Sequence, residues 1–306
     1  MQKEVLEYLK PASPDGLLID ATLGEGGHSE LFLKTYPSLS VVGVDADPSI
    51  MAVARERLSP FGERVRFFNM WFNTFFKEYP LGDERPDLIL FDLGISVFHY
   101  ERSKRGFSFQ KDEPLDMRIG SDLELSAKDI VNEYPERELS DLLFLYGEEQ
   151  YARRIAKAIV TQRKLAPITT TKQLAELIYS AVPEHYRHER IHPATRSFQA
   201  LRIAVNGELA RLEAALRASY HVLKVGGRIG VISFHSLEDR QVKQFFKDLS
   251  KSCTCPPEWP ICTCGGIKHA QLITPKALKP TEQEVASNSP SRSAKFRVIE
   301  KLVAED

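Results

Sequence analysis

Apolar and polar positions follow two regimes along the chain. In the first hundred residues, short and nearly uninterrupted apolar runs recur at Leu17-Leu18-Ile19-Asp20, Ser40-Val41-Val42-Gly43-Val44-Asp45, Val65 to Phe68 and Leu88-Ile89-Leu90-Phe91. Such runs are the pattern of strands buried on both faces. Helical periodicity fills the gaps over about 27–35 and 48–58, with Asp47 suited to the cap and Pro48 to the first turn. Strand and helix in alternation predict βαβ units in a parallel α/β sheet. From about Ile95 to Asn206 no strong strand is predicted, and helices are expected over 127–133, 135–146, 148–164 and 171–181. A long helix over 206–223 follows, then sheet signals at 227–234 and 296–299. The expectation is one discontinuous sheet domain, residues 1–100 and 207–306, interrupted by a helical insertion, 101–206. The Pro-, Ser- and Thr-rich stretch from Thr274 to Ser293 reads as a surface loop or arm.

Composition narrows the class. The chain has 306 residues, 42% hydrophobic and 27% charged, which suits a globular protein with a substantial core. No apolar run approaches the roughly 18 residues of a membrane helix, and Met1 to Lys10 mixes charges with apolar residues unlike a signal peptide. A cytoplasmic protein with no membrane partner is expected. The net charge is −1, yet residues 151–206 hold ten Lys/Arg against three acids, a local surplus that fits a polyanion partner. On the helix expected from Glu148, Arg153, Lys157 and Lys164 share one face while Ile155 and Ile159 share the other. Arg187, Arg190 and Arg196 add positive charge. Four cysteines cluster at Cys253, Cys255, Cys262 and Cys264. They could hold one structural zinc through four thiolates, although C-x-C is tighter than the usual spacing, and reduced thiols are the alternative.

Candidate chemistry sits at strand ends. Asp20-Ala-Thr-Leu-Gly24-Glu-Gly26-Gly27-His28-Ser29 follows a strand and opens a helix. Its glycines allow close backbone approach, and the helix start offers unpaired N–H groups. A dinucleotide fingerprint would need glycine where Ser29 stands, and Glu25 is unwelcome beside a pyrophosphate; a dinucleotide-dependent oxidoreductase is therefore disfavoured. Asp45 ends the next strand, where a carboxylate can accept from ribose hydroxyls. A nucleoside ligand without a pyrophosphate fits best, and S-adenosylmethionine answers that description. A plain tight turn with a capping acid is the bland alternative. Asp92 ends the fourth strand, so Asp20, Asp45 and Asp92 all lie on the carboxyl edge where open sheets bind ligands.

Longer motifs carry a family resemblance. They are Asp20 to His28, Arg105-Gly-Phe-Ser-Phe-Gln-Lys-Asp-Glu-Pro-Leu-Asp-Met-Arg118, Tyr146-Gly-Glu-Glu149, His192 to Asn206, and Ser233-Phe-His-Ser-Leu-Glu-Asp-Arg240. Through them nearly the whole chain resembles the MraW/RsmH family of S-adenosylmethionine-dependent methyltransferases, which methylate the exocyclic N4 of one cytidine in the decoding (P-site) region of bacterial 16S rRNA. The resemblance implies a Rossmann-like class I methyltransferase sheet, a helical insertion for substrate recognition, and 16S rRNA in the small ribosomal subunit as partner. It implies cofactor contacts at Gly26, Gly27, His28, Asp45, Phe72 and Asp92, and at His99, where the family usually has Gln. The chain also starts inside the family's first helix, at Glu4-Val5-Leu6. As acceptors for the N4 hydrogens, Asp92 and the stretch through Ser96 lead, with Asp116, His235, Glu238 and Asp239 as further candidates. RNA contacts are expected from Arg153, Lys157, Lys164, Arg187, Arg190 and Arg196, and stacking on a flipped base from Phe198 or Tyr186. A non-catalytic, zinc-stabilised RNA-binding protein is the competing reading. Oligomeric state is open, a homodimer being one option.

Overall fold

The structure is a computed structural model that describes residues 1–304 apart from Thr254, Pro257, Cys262, Cys264 and Gly265. Seven strands form one sheet: β1 (Leu17–Asp20), β2 (Ser40–Asp45), β3 (Val65–Asn69), β4 (Leu88–Asp92), β5 (Arg228–Ser233), β6 (Ala270–Leu272) and β7 (Lys295–Lys301), in the order β3-β2-β1-β4-β5-β7-β6. The first five are parallel, in register Asp20↔Gly43, Asp20↔Leu90 and Asp92↔Ile232. The all-parallel expectation is corrected at one edge, where β7 runs antiparallel to β5 and β6 antiparallel to β7. An apolar run looks the same in either direction, so its sequence does not encode the orientation. The chain goes outward from β1 through β2 to β3 and then returns to place β4 on β1's other side. The β1/β4 boundary is thus the topological switch point.

The chain divides into two compact units, Met1–Gly94 with Ala210–Asp306, and Ile95–Leu209. Helices α1 (Gln2–Tyr8), α2 (Gly27–Thr35), α3 (Pro48–Leu58) and α4 (Phe72–Glu78) belong to the sheet unit. The helical unit holds α5 (Val97–Glu101), α6 (Ala127–Glu133), α7 (Glu136–Gly147), α8 (Ala152–Arg163), α9 (Thr171–Ala181), α10 (Glu184–Arg187) and α11 (Ala194–Asn206). Helix α12 (Glu208–Val222) leads back into the sheet unit, which adds α13 (Ser236–Leu249) and α14 (Glu282–Ser287). Alternate strand residues feed two cores. Leu18, Val41, Leu90 and Val298 pack with Val5, Phe32 and Met51, while Ile19, Val42, Phe91 and Val231 pack with Phe75, Leu216 and Phe246. Both sheet faces are therefore covered by helices, which is why these strands read as unbroken apolar runs.

Three element boundaries differ from expectation. Helix α8 starts at Ala152, because Glu148 takes a left-handed conformation (φ 49°) that closes α7. Gly207 (φ 58°) separates α11 from α12. Helix α11, absent from the expected elements, buries Ala194, Phe198, Leu201 and Val205 at helical spacing along one face, with Ala200 and Ile203 buried as well. The stretch expected as an arm contains α14 and a bridge from Leu278 to Phe296. Among the described residues, no helix is long and apolar enough to cross a membrane.

Candidate active site

The carboxyl edge around the switch point is built from β1, β2, β4 and the start of α2. Gly26 caps α2 at φ 79°, and a Cβ there would stand 3.1 Å from Leu58, so the turn accepts only glycine without strain. Ser29 Oγ donates to Asp20 Oδ2 at 2.7 Å, which fastens the first turn of α2 to β1. Asp45 fastens the glycine loop: its Oδ2 accepts from Gly24 N at 2.8 Å and its Oδ1 from Asp47 N at 2.9 Å. Asp47 in turn accepts from Ser49 N and caps α3, with Pro48 in the first turn. The Asp92 amide donates to Thr22 Oγ1 at 2.6 Å, tying the end of β4 to the same loop. Phe72 opens α4 and sets its ring edge-on to Phe91, with centroids 5.7 Å apart.

Electrostatics at this edge are unusual. Asp20 is 1% exposed, and burial pushes its carboxyl up to about 6 against the Ser29 bond and the His28 charge. His28 Nε2 lies 3.5 Å from Asp92 Oδ2. Burial alone would lower the imidazole's affinity for a proton. The Asp92 bond and the charges of Asp92 and Asp20 outweigh it and raise the His28 pKa. Asp20 Oδ1, His28 Nδ1 and Asp92 Oδ1 are buried without a hydrogen-bond partner. Buried polar atoms rarely stay unpaired, so this donor set fits a polar ligand such as the amine, carboxylate or hydroxyls of a nucleoside cofactor.

The helical unit holds the other candidates. Ser96 caps α5 and exchanges bonds with His99 Nδ1 at 3.2–3.3 Å, and the His99 ring is buried edge-on to Phe107. Asp116 accepts from Arg118 Nε at 2.7 Å and Nη2 at 2.9 Å. Partial burial pushes its carboxyl up, but those bonds outweigh it and hold Asp116 below the usual carboxylate range. In the sheet unit, His235 and Glu238 form the capping box of α13, while Asp239 binds Arg297 at 2.7 Å and Lys295 at 2.9 Å. Phe198 and Tyr186 are core residues, 5% and 3% exposed, so neither offers a stacking face.

The basic residues separate into two sets. Arg153, Lys157, Lys164 and Arg190 are exposed, with Ile155 and Ile159 buried behind the first two. Arg187 is committed to the Val182 and Ser180 carbonyls, and Arg196 to that of Glu148. Sequence reasoning missed a cavity of about 460 Å³ lined by Phe109, Lys172, Tyr179 and His192. The His192 ring lies 4.6 Å from Phe109 and 5.9 Å from Tyr179. Tyr179 and His192 are exposed aromatic residues within the basic region, and that exposure is not written in the sequence. Of the cysteines, Cys255 Sγ accepts from Thr263 N at 3.3 Å, while Cys262 and Cys264 lie outside the described residues.

Comparison with known proteins decides the family. The model of the MraW methylase family matches residues 1–302. The chain belongs to the MraW methylase family. It is 59% identical over 300 residues to ribosomal RNA small subunit methyltransferase H of Treponema denticola, covering 98% of this chain and 95% of that one. It is 47% identical over 304 residues to the protein of the same name from Geobacter sulfurreducens, covering 99% and 97%. Against that of Treponema pallidum it is 44% identical over 315 residues, covering 92% and 83%.

In this MraW methylase the long motifs of the helical unit mostly hold one another. Asn206 donates to the Met117 carbonyl and accepts from Ile119 N, each at 2.8 Å, locking the end of α11 to the Arg105–Arg118 segment. Gly106 (φ 73°) leaves no room for a Cβ, which would stand 2.2 Å from the Pro114 carbonyl oxygen. Glu149, fully buried, accepts from the Tyr186 hydroxyl at 2.9 Å and from Tyr151 N at 2.8 Å.

Proposed function

We propose that this protein transfers a methyl group from S-adenosylmethionine to the exocyclic N4 of a cytidine in the P-site region of 16S rRNA, with the small ribosomal subunit as substrate. The observation that carries the reading is the trio of buried, unpartnered polar atoms on Asp20, His28 and Asp92 at the switch point. That chemistry suits a cofactor bearing an amine, a carboxylate and ribose hydroxyls, and the family membership supplies the methyl transfer. Gly26, Gly27 and His28 would hold its amino-acid end, Asp45, at the end of β2, its ribose, and Phe72 its adenine. When bound, the sulfonium supplies an electrophilic methyl whose S–C electron pair stays on sulfur as the bond breaks.

The protein's own task is to make N4 nucleophilic. Its lone pair is delocalised into the ring, so the amine is weak and needs positioning. Asp92 accepts an N4 hydrogen, which favours a pyramidal nitrogen and takes up positive charge as the N–C bond forms. The proton passes through the carboxylate to water. Asp116, already neutralised by Arg118, suits scaffold better than proton acceptance, and Ser96 and His99 serve as a cap and its partner. The exposed Arg153, Lys157, Lys164 and Arg190 serve as RNA phosphate contacts. Incubating small subunits that lack the mark with labelled cofactor tests the proposal. Label at the cytidine N4 supports it, and no transfer to that position defeats it.

A further inference from the structure

We infer that His28 is a positioning residue for Asp92: its Nε2 holds Oδ2 and thereby fixes the orientation of the carboxylate that receives the substrate amine. The inference rests on the proposed role of Asp92 and assigns how that carboxylate is aimed. Both partners stand on anchored backbone. Ser29, the next residue of α2, is bonded to Asp20, and the Asp92 amide is bonded to Thr22. Between these anchors, Nε2 and Oδ2 lie 3.5 Å apart, a separation that shortens readily when a site fills. Among the described residues, His28 Nδ1 is buried with no hydrogen-bond partner, and the ring's polar contact is the one to Asp92. His99 and His235 differ, because each has its Nδ1 engaged in the capping box of a helix. A ring bonded to the carboxylate proposed to react is not explained by capping.

The surrounding charges set the protonation state. Asp20 on β1 and Asp92 on β4 face the imidazole and are opposed by the Met1 amine at the start of α1, itself paired with Glu284. The two carboxylates favour the imidazolium over the burial that opposes it. A protonated ring cannot take the N4 proton, but it donates a charge-assisted bond to Oδ2. That bond stops the carboxylate from rotating. The proton leaving N4 goes to the Asp92 carboxylate and then to water, and the His28 proton stays on the ring throughout.

The test uses the full-length protein and small subunits that lack the mark. His28→Ala should lower kcat at saturating cofactor by about tenfold or more, with the KM for the subunit unchanged. His28→Gln, whose amide donates at a similar reach but does not titrate, should recover much of that loss. The wild-type kcat should fall at alkaline pH as the imidazole deprotonates, and His28→Gln should lack that limb. NMR of histidine-labelled protein without cofactor should show His28 titrating above the ordinary histidine range, and lower in Asp92→Asn. Thermal melting confirms that the variants fold. Full kcat in His28→Ala overturns the inference, as does a loss confined to cofactor affinity by calorimetry, or an alkaline limb unchanged in His28→Gln. If Asp92→Asn keeps wild-type kcat, the proposed role of Asp92 fails. If Asp92→Asn is inactive while His28→Ala is unaffected, only the positioning role fails.

Discussion

Replacing Asp20 with asparagine should stabilise the protein above neutral pH while weakening the cofactor site. The native carboxyl holds its proton up to about 6, against an ordinary aspartate value of 3.8. Between those pH values the folded protein keeps a proton that the unfolded chain has released, so stability falls as pH rises through the window and stays flat above it. That difference corresponds to about 3 kcal/mol at roughly 1.4 kcal/mol per pH unit. Asparagine removes that charge and can still accept from Ser29 Oγ, the bond now made to Oδ2. Its amide nitrogen would occupy the place of Oδ1, which has no partner, and a buried unsatisfied donor costs about 1–3 kcal/mol. The net expectation is a gain of about 1 kcal/mol at pH 8, given those opposing magnitudes. Urea denaturation of both proteins at pH 8 and pH 4.5 measures it. The advantage should vanish or reverse at pH 4.5, where the wild-type carboxyl is already neutral. Calorimetry at pH 8 should show weaker S-adenosylmethionine binding. A variant less stable than wild type at pH 8, or a difference independent of pH, would refute the reasoning.

Other outcomes are expected in the helical unit. Asn206→Ala strands the Met117 carbonyl and the Ile119 amide and should cost about 2–5 kcal/mol, read as an earlier denaturant midpoint. Gly106→Ala forces a Cβ against the Pro114 carbonyl in a left-handed conformation; its yield of folded protein should drop sharply, whereas Gly82→Ala, with open space around it, should lose about 1 kcal/mol or less. Arg153→Ala with Lys157→Ala should weaken subunit binding and lower the slope of log affinity against log salt by roughly one per lost phosphate contact, without a shift in melting temperature. Arg187→Ala, which releases two carbonyls, should instead lower the melting temperature.

Much of the sheet was legible because burial on both faces leaves an unmistakable trace. Leu17–Asp20, Ser40–Asp45 and Leu88–Asp92 are apolar runs that end in acids, and the turn chemistry of Asp47-Pro48 marks the start of α3. The direction of β7 was not legible, since a strand's side-chain pattern is the same read either way. Helix α11 was legible too, since Ala194, Phe198, Leu201 and Val205 recur at helical spacing, although the expected elements did not include it. At the candidate site, the acids could be found from their strand ends. The pairing of His28 with Asp92 could not, because it joins residues far apart in sequence through the β1/β4 boundary. The ring cluster at Phe109, Tyr179 and His192 likewise draws on three separate segments.

Where the chain leaves the sheet has a consequence for how such a protein can diversify. It departs after Gly94 and rejoins at Ala210, yet β4 and β5 remain adjacent, paired from Leu88↔Arg228 to Asp92↔Ile232. More than a hundred residues thus hang from a connection whose two ends the ladder already fixes. Lengthening, trimming or exchanging that segment breaks no rung between the two strands, so the inserted unit can drift while the sheet is inherited intact.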